Sequence, residues 1–189
     1  MKFKKLSIEG LLLATPQVYE DDRGYFFESF NQKEFNNYLG KEVDFVQDNQ
    51  SKSSRHTIRG LHFQKAPSAQ GKLVRVIDGE IFDVVVDLRK GSKTFGHSLS
   101  VILTSENFQA FYVPEGFAHG FQVTSNTATV FYKTTDFYNA ETEVTLAWND
   151  SEIKINWPNS ASPNLSKKDC NGLSLSTLKK EIQGETHDQ

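Results

Sequence analysis

Short apolar and β-branched runs recur along the chain at 73–77, 81–88, 99–103, 110–113, 128–134, 144–148 and 153–157, each bounded by Gly, Asn, Asp, Ser or Pro. Such runs predict strands, and their length and spacing predict an all-β jelly roll or β-sandwich. The opening MKFKKLSIEGLLLA has only four or five consecutive apolar residues, too few for a signal-peptide core or a membrane-spanning helix, and reads as a first strand. Helical spacing is rare. Residues 31–39 place Phe35, Tyr38 and Leu39 on one face with Gly40 as a C-cap; 105–110 predicts a single turn and 176–182 a short C-terminal helix. No linker divides the chain, so one domain is expected over 1–183, with a frayed tail at 184–189.

Composition narrows the function classes. The 189 residues suffice for a real core, and 15 phenylalanines suit the space between two sheets. A formal charge of −3 gives no global attraction for nucleic acid, so an anionic ligand would need local basic residues. The single cysteine, Cys170, rules out an intrachain disulfide and fits a reducing cytoplasm. It lies in a polar segment, KKDCNG, without the strand-to-helix setting of a nucleophile.

Two of the five histidines stand in distinctive settings: His62 in IRGLHFQ, and His119 in VPEGFAHGF after a Pro-x-Gly turn. The second segment resembles the second cupin motif. The first cupin motif usually carries His-x-His and a glutamate; here Gln64 follows His62, no acidic residue occurs before Lys72, and the ammonium would repel a cation. No metal is therefore expected. A histidine without a metal is free for general-base work near neutrality. It then needs an orienting carboxylate, for which Asp169 and Asp83 are candidates, together with an electrophile and an acid. Lys72 shares a strand face with Val74 and Val76, and Tyr132 ends the alternating run Ala128–Val130–Tyr132. Residue type alone does not separate these roles from a structural histidine, a solvated lysine, a rim tyrosine and a turn aspartate.

A family resemblance does separate them. The segments EDDRGYFFESF (20–30), FVQDNQSKS (45–53), IRGLHFQ (58–64), GKLVRVIDGEIFDVVVDLRKGS (71–92), VPEGFAHGFQV (113–123), YKTTDFY (132–138), WNDSEIKINWP (148–158) and LSKKD (165–169) together resemble the dTDP-4-dehydrorhamnose 3,5-epimerase family, in order over about 1–175. The resemblance implies a cupin-type jelly-roll subunit and a homodimer with strands exchanged between sheets. It implies inversion of C3 and C5 of dTDP-4-dehydro-6-deoxy-D-glucose by removal of protons alpha to the C4 ketone, with no cofactor. No G-x-G-x-x-G or P-loop pattern is present.

Carried over by position, the resemblance makes His62 the base, Asp169 its orienting carboxylate, Tyr132 the acid and Lys72 the stabiliser of the C4 oxyanion. It gives Arg23, Phe26, Glu28, Gln47, Asp48, Asn49, Arg59, His119, Glu143 and Lys168 as nucleotide-sugar contacts, the two arginines suited to diphosphate oxygens. The sequence leaves open a single-site 3- or 5-epimerase or ketoisomerase on the same nucleotide sugar, and a non-catalytic nucleotide-sugar-binding cupin. Neither nucleic acid nor a membrane is expected as a partner.

Overall fold

The computed structural model describes residues 1–184. All but Gly184 of the expected tail lies outside the described residues, and that glycine, in the left-handed region, caps the final helix. The strands are β1 (Lys2–Lys5), β2 (Leu12–Thr15), β3 (Tyr19–Asp21), β4 (Gly24–Phe26), β5 (Gln47–Ser54), β6 (Ile58–Gln64), β7 (Lys72–Asp78), β8 (Glu80–Asp87), β9 (Ser98–Thr104), β10 (Ala110–Val113), β11 (Phe117–Val123), β12 (Thr127–Thr134) and β13 (Glu143–Thr145). Helix α1 spans Gln32–Leu39, a 3₁₀ turn Asp169–Asn171 and helix α2 Leu175–Gln183.

Strands β5 to β12 divide between two antiparallel sheets, ordered β5-β12-β7-β10 and β6-β11-β8-β9, which is the jelly roll expected from the sequence. Strands β2 and β1 extend the first sheet, and β13 extends the second.

Apolar layers cover three surfaces. Val74, Val76, Ile81, Val85, Phe117 and Phe121 are among those filling the space between the sheets. The outer face of the second sheet, including Val84, Val86 and Leu61, is covered by Trp157, Leu175 and Leu178. The outer face of the first sheet packs Leu73 and Tyr112 against Phe35 of α1. With both faces covered, β11 is buried at every residue and loses the alternation that marks a half-exposed strand.

Helix α1 forms where its pattern predicts: Asn31 accepts from the Glu34 amide at one end, and Gly40 adopts the left-handed conformation at the other. Two expected strands are corrected. Of 144–148 only Val144 and Thr145 pair as a strand, in β13, and 153–157 is irregular, with Lys154 at φ 55°. Ile153 and Trp157 are nevertheless buried, because their segment lies against the second sheet as cover without entering its ladder.

One irregularity decides what faces the cavity. On β6, His62 pairs with His119 of β11 but Arg59 pairs with Phe121, so three steps on one strand match two on the other. Strict alternation would send Arg59 and His62 to opposite faces; the bulge turns both inward. Gly60 permits it. Its φ is 118°, and a Cβ there would lie 2.7 Å from the Gly120 Cα.

Candidate active site

The strand framework brings residues from both sheets to one end of the interior. His62 on β6 and His119 on β11 belong to the second sheet; Lys72 on β7 and Tyr132 on β12 belong to the first. Two adjoining cavities, about 300 and about 150 Å³, share His62, Lys72 and Tyr132 in their walls. Arg59, His119, Lys168 and Asp169 complete the larger one, and Gln47, Asn49, Tyr138 and Glu143 line the smaller.

His62 Nε2 lies 2.6 Å from Asp169 Oδ1. Asp169 sits at the 3₁₀ turn. Its second oxygen, Oδ2, accepts from the Ser166 hydroxyl at 2.7 Å, and the Gly60 amide donates to Oδ1. Burial alone would raise the Asp169 carboxyl, but the hydrogen bonds from His62, Ser166 and Gly60 outweigh it and hold the group below the usual carboxylate range. The ionised carboxylate holds the imidazole proton on Nε2 and leaves the lone pair on the other ring nitrogen.

Asp83, a candidate partner for His62 from the sequence, is engaged elsewhere. His119 Nε2 meets both its oxygens, at 2.9 and 3.0 Å. The site thus holds two His–Asp pairs on neighbouring strands. The side chain of His62 is 26% exposed and that of His119 9%, so His62 is the more accessible imidazole.

Lys72 projects inward with Val74 and Val76, as expected, and donates to the His62 carbonyl at 3.1 Å. Burial lowers its ammonium to about 8, against the opposing pull of Glu143 and Asp83. Burial also raises the Tyr132 phenol, which Arg59 offsets in part, so the hydroxyl keeps its proton at neutral pH. Arg59 donates Nε to Ser53 Oγ at 2.9 Å, which aims the rest of the fork into the larger cavity. Glu143 is bridged to Lys168 and accepts from the Tyr138 hydroxyl at 2.9 Å.

Four expected contacts are not gathered here. The side chain of Asp48 points to the opposite face of β5 from Gln47 and Asn49, by strand alternation, and pairs with Lys133. Arg23 and Phe26 lie on the exposed β3–β4 hairpin, where Arg23 pairs with Asp21, and Glu28 follows in an exposed segment. None of the three lines either cavity of its own chain.

Sequence reasoning assigned no role to Tyr138, although it ends the segment YKTTDFY. It also missed Gln70, Ser166 and Ser51. The Ser51 hydroxyl is buried at the larger cavity with no hydrogen-bond partner among the described residues. Among those residues no three His, Cys, Asp or Glu side chains converge as metal ligands. No described helix is long and apolar enough to cross a membrane.

The family model for dTDP-4-dehydrorhamnose 3,5-epimerase matches residues 5–177. The chain belongs to this family. It is 52% identical over 172 residues to the dTDP-4-dehydrorhamnose 3,5-epimerase of Pseudomonas aeruginosa, covering 91% of this chain and 94% of that one. The crystal structure of the Legionella pneumophila dTDP-6-deoxy-D-glucose-3,5-epimerase in complex with dTDP-4-keto-L-rhamnose superposes with a TM-score of 0.91 at 43% identity, covering 96% of each chain. A 3'-monoepimerase from Streptomyces bikiniensis in complex with dTDP-quinovose superposes with a TM-score of 0.89 at 32% identity, over 94% of this chain and 90% of that chain.

Proposed function

We propose that this chain inverts C3 and C5 of dTDP-4-dehydro-6-deoxy-D-glucose to give dTDP-4-dehydro-L-rhamnose, the epimerisation step of dTDP-L-rhamnose synthesis. The observation that carries the reading is the placement of His62, paired with Asp169, on one sheet and of Tyr132 with Lys72 on the facing sheet, around one shared space. Inverting a carbon by way of an enolate needs a base on one face of the sugar and an acid on the other, and the two sheets supply those opposed walls.

His62 takes the proton alpha to the C4 ketone, and Asp169 stabilises the imidazolium that forms. The electron pair moves onto the C4 oxygen, where the Lys72 ammonium meets the developing negative charge; a preorganised donor of this kind is worth about 3–4 kcal/mol of barrier. Tyr132 returns a proton from the opposite face. The adjacent ketone supplies the acidity, so the chemistry draws on no cofactor. Arg59 and Lys168 offer the charge a diphosphate needs.

The reading extends to a homodimer. Arg23, Phe26 and Glu28 are exposed on and beside a projecting hairpin, with Phe26 70% exposed. An exchange of strands between protomers would carry this hairpin to the cavity of a second copy and complete its nucleotide site. A nucleotide-sugar substrate and a lone cysteine fit a cytoplasmic enzyme.

A coupled assay tests the function: the chain, its substrate, and a rhamnose-pathway reductase with its nicotinamide cofactor. Formation of dTDP-L-rhamnose supports the double epimerase. The likeness to the 3'-monoepimerase keeps single-centre inversion as the second reading, and a reduced product inverted at C3 alone would establish it.

A further inference from the structure

We propose that Gln64 is a positioning residue that sets the outer wall of the substrate site; the inference rests on the nucleotide-sugar reading above. Residues 137–139 have no ladder partner, yet they carry Tyr138 into the wall of the smaller cavity. Side chains hold them instead. Gln64 Nε2 donates to the Phe137 carbonyl at 3.1 Å, and Gln64 Oε1 accepts from the Asn139 amide at 2.9 Å. Gln47 Oε1 accepts from the Tyr138 amide at 3.1 Å. Three consecutive residues are thus held by two glutamines, one from each sheet, across the open end of the sandwich.

The arrangement uses nearly all that a glutamine offers. Gln64 is only 5% exposed, and its amide nitrogen also donates to the Ser68 carbonyl. One amide orientation satisfies all three partners, since Oε1 meets an N–H and Nε2 meets two carbonyls. Gln64 itself borders the smaller cavity, and its hold on the wall extends through Tyr138, whose hydroxyl holds Glu143, itself bridged to Lys168. On the ladder Glu143 is the direct partner of Gln64. Gln64 stands two residues after His62, where a metal cupin would place a second histidine; here the position serves the wall of the site. No described hydrogen bond joins it to Tyr132 or Asp169, so its direct influence falls on the wall that holds substrate, and it meets Lys72 only at second hand through the charge of Glu143.

The test is Gln64→Met, which keeps length and removes all three hydrogen bonds. KM for the nucleotide sugar is expected to rise about tenfold or more, with a parallel rise in the dTDP dissociation constant, while kcat at saturation changes far less. A fall in kcat at unchanged KM would overturn the proposal, as would a lowered melting temperature with unchanged KM. Should the variant fail to fold, amide hydrogen exchange in the wild-type protein decides. Tyr138 and Asn139 should be protected without ligand, and exchange as fast as in an unstructured peptide would refute the clamp. If the wild-type chain did not epimerise the sugar, the functional reading would fail, while dTDP affinity and amide exchange would still judge Gln64.

Discussion

Asp169 and His62 are 107 residues apart in sequence and 2.6 Å apart in space. The contact exists because the bulge at Gly60 turns His62 inward and the 3₁₀ turn brings the carboxylate beneath it. Replacing the carboxylate by an amide removes the charge that stabilises the imidazolium. Asp169→Asn should lower kcat by about 10²–10⁴-fold, with dTDP affinity by calorimetry nearly unchanged. Because the folded carboxyl lies below its ordinary range, its ionised form stabilises the fold above that range, and this contribution is lost as pH falls through the folded value. Acid unfolding of Asp169→Asn should therefore begin from a less stable protein but lose less stability below about pH 4.

Tyr132 faces the cavity from the sheet opposite His62, with its proton held by burial. Tyr132→Phe should impair reprotonation more than proton removal. Solvent deuterium should still enter the recovered substrate after epimerisation has dropped by about 10²-fold or more. An equal loss of both would remove Tyr132 as the acid.

Lys72 makes opposite predictions for activity and stability. Above about pH 8 the buried amine loses the charge we propose for stabilising the C4 oxyanion, so kcat should fall on an alkaline limb near that value. Between about 8 and the ordinary 10.5, the unfolded chain binds a proton that the folded chain does not, so this group makes stability rise with pH. At neutral pH the fold bears the cost of burying the ammonium, roughly 3 kcal/mol for a shift from 10.5 to about 8. Lys72→Met should be nearly inactive yet more stable at pH 7 by about 1–3 kcal/mol, read from thermal melts.

Arg23 lines neither cavity of its own chain, so the proposed dimer predicts complementation. His62→Ala and Arg23→Ala homodimers should each be poor enzymes. Mixed and re-equilibrated, they should regain up to about a quarter of wild-type activity, because half the dimers are hybrids and each hybrid holds one intact site. No recovery, with hybrids shown to form, would place Arg23 in its own protomer's chemistry or outside the site.

Much of the jelly roll was legible because β7, β8, β9, β10 and β12 bury apolar residues that announce strands. Strand β5 was not: its inward face is Gln47, Asn49, Ser51 and Ser53, a polar wall that serves the cavity and carries no apolar period. Residues 153–157 misled for the converse reason, since a segment covering a sheet needs apolar residues without pairing. In the site, the inward direction of Lys72 and Tyr132 followed from their neighbours' alternation. The partner of His62 did not follow from spacing, because Asp83 and Asp169 are equally plausible until the fold assigns Asp83 to His119. Asp48, in line with Gln47 and Asn49 in sequence, points the other way on the strand. The roles of Glu143 and Lys168 rested on family resemblance, while their contact is visible only in three dimensions.

The central claim is proton exchange alpha to the ketone at two carbons, begun by His62. It is tested most directly by incubating the chain with dTDP-4-dehydro-6-deoxy-D-glucose in deuterated water and reading C3 and C5 by NMR, with His62→Ala in parallel. Deuterium at both carbons with the wild-type chain, and at neither with His62→Ala, is the predicted result. Absence of exchange with the wild-type chain, or undiminished exchange with His62→Ala, would contradict it.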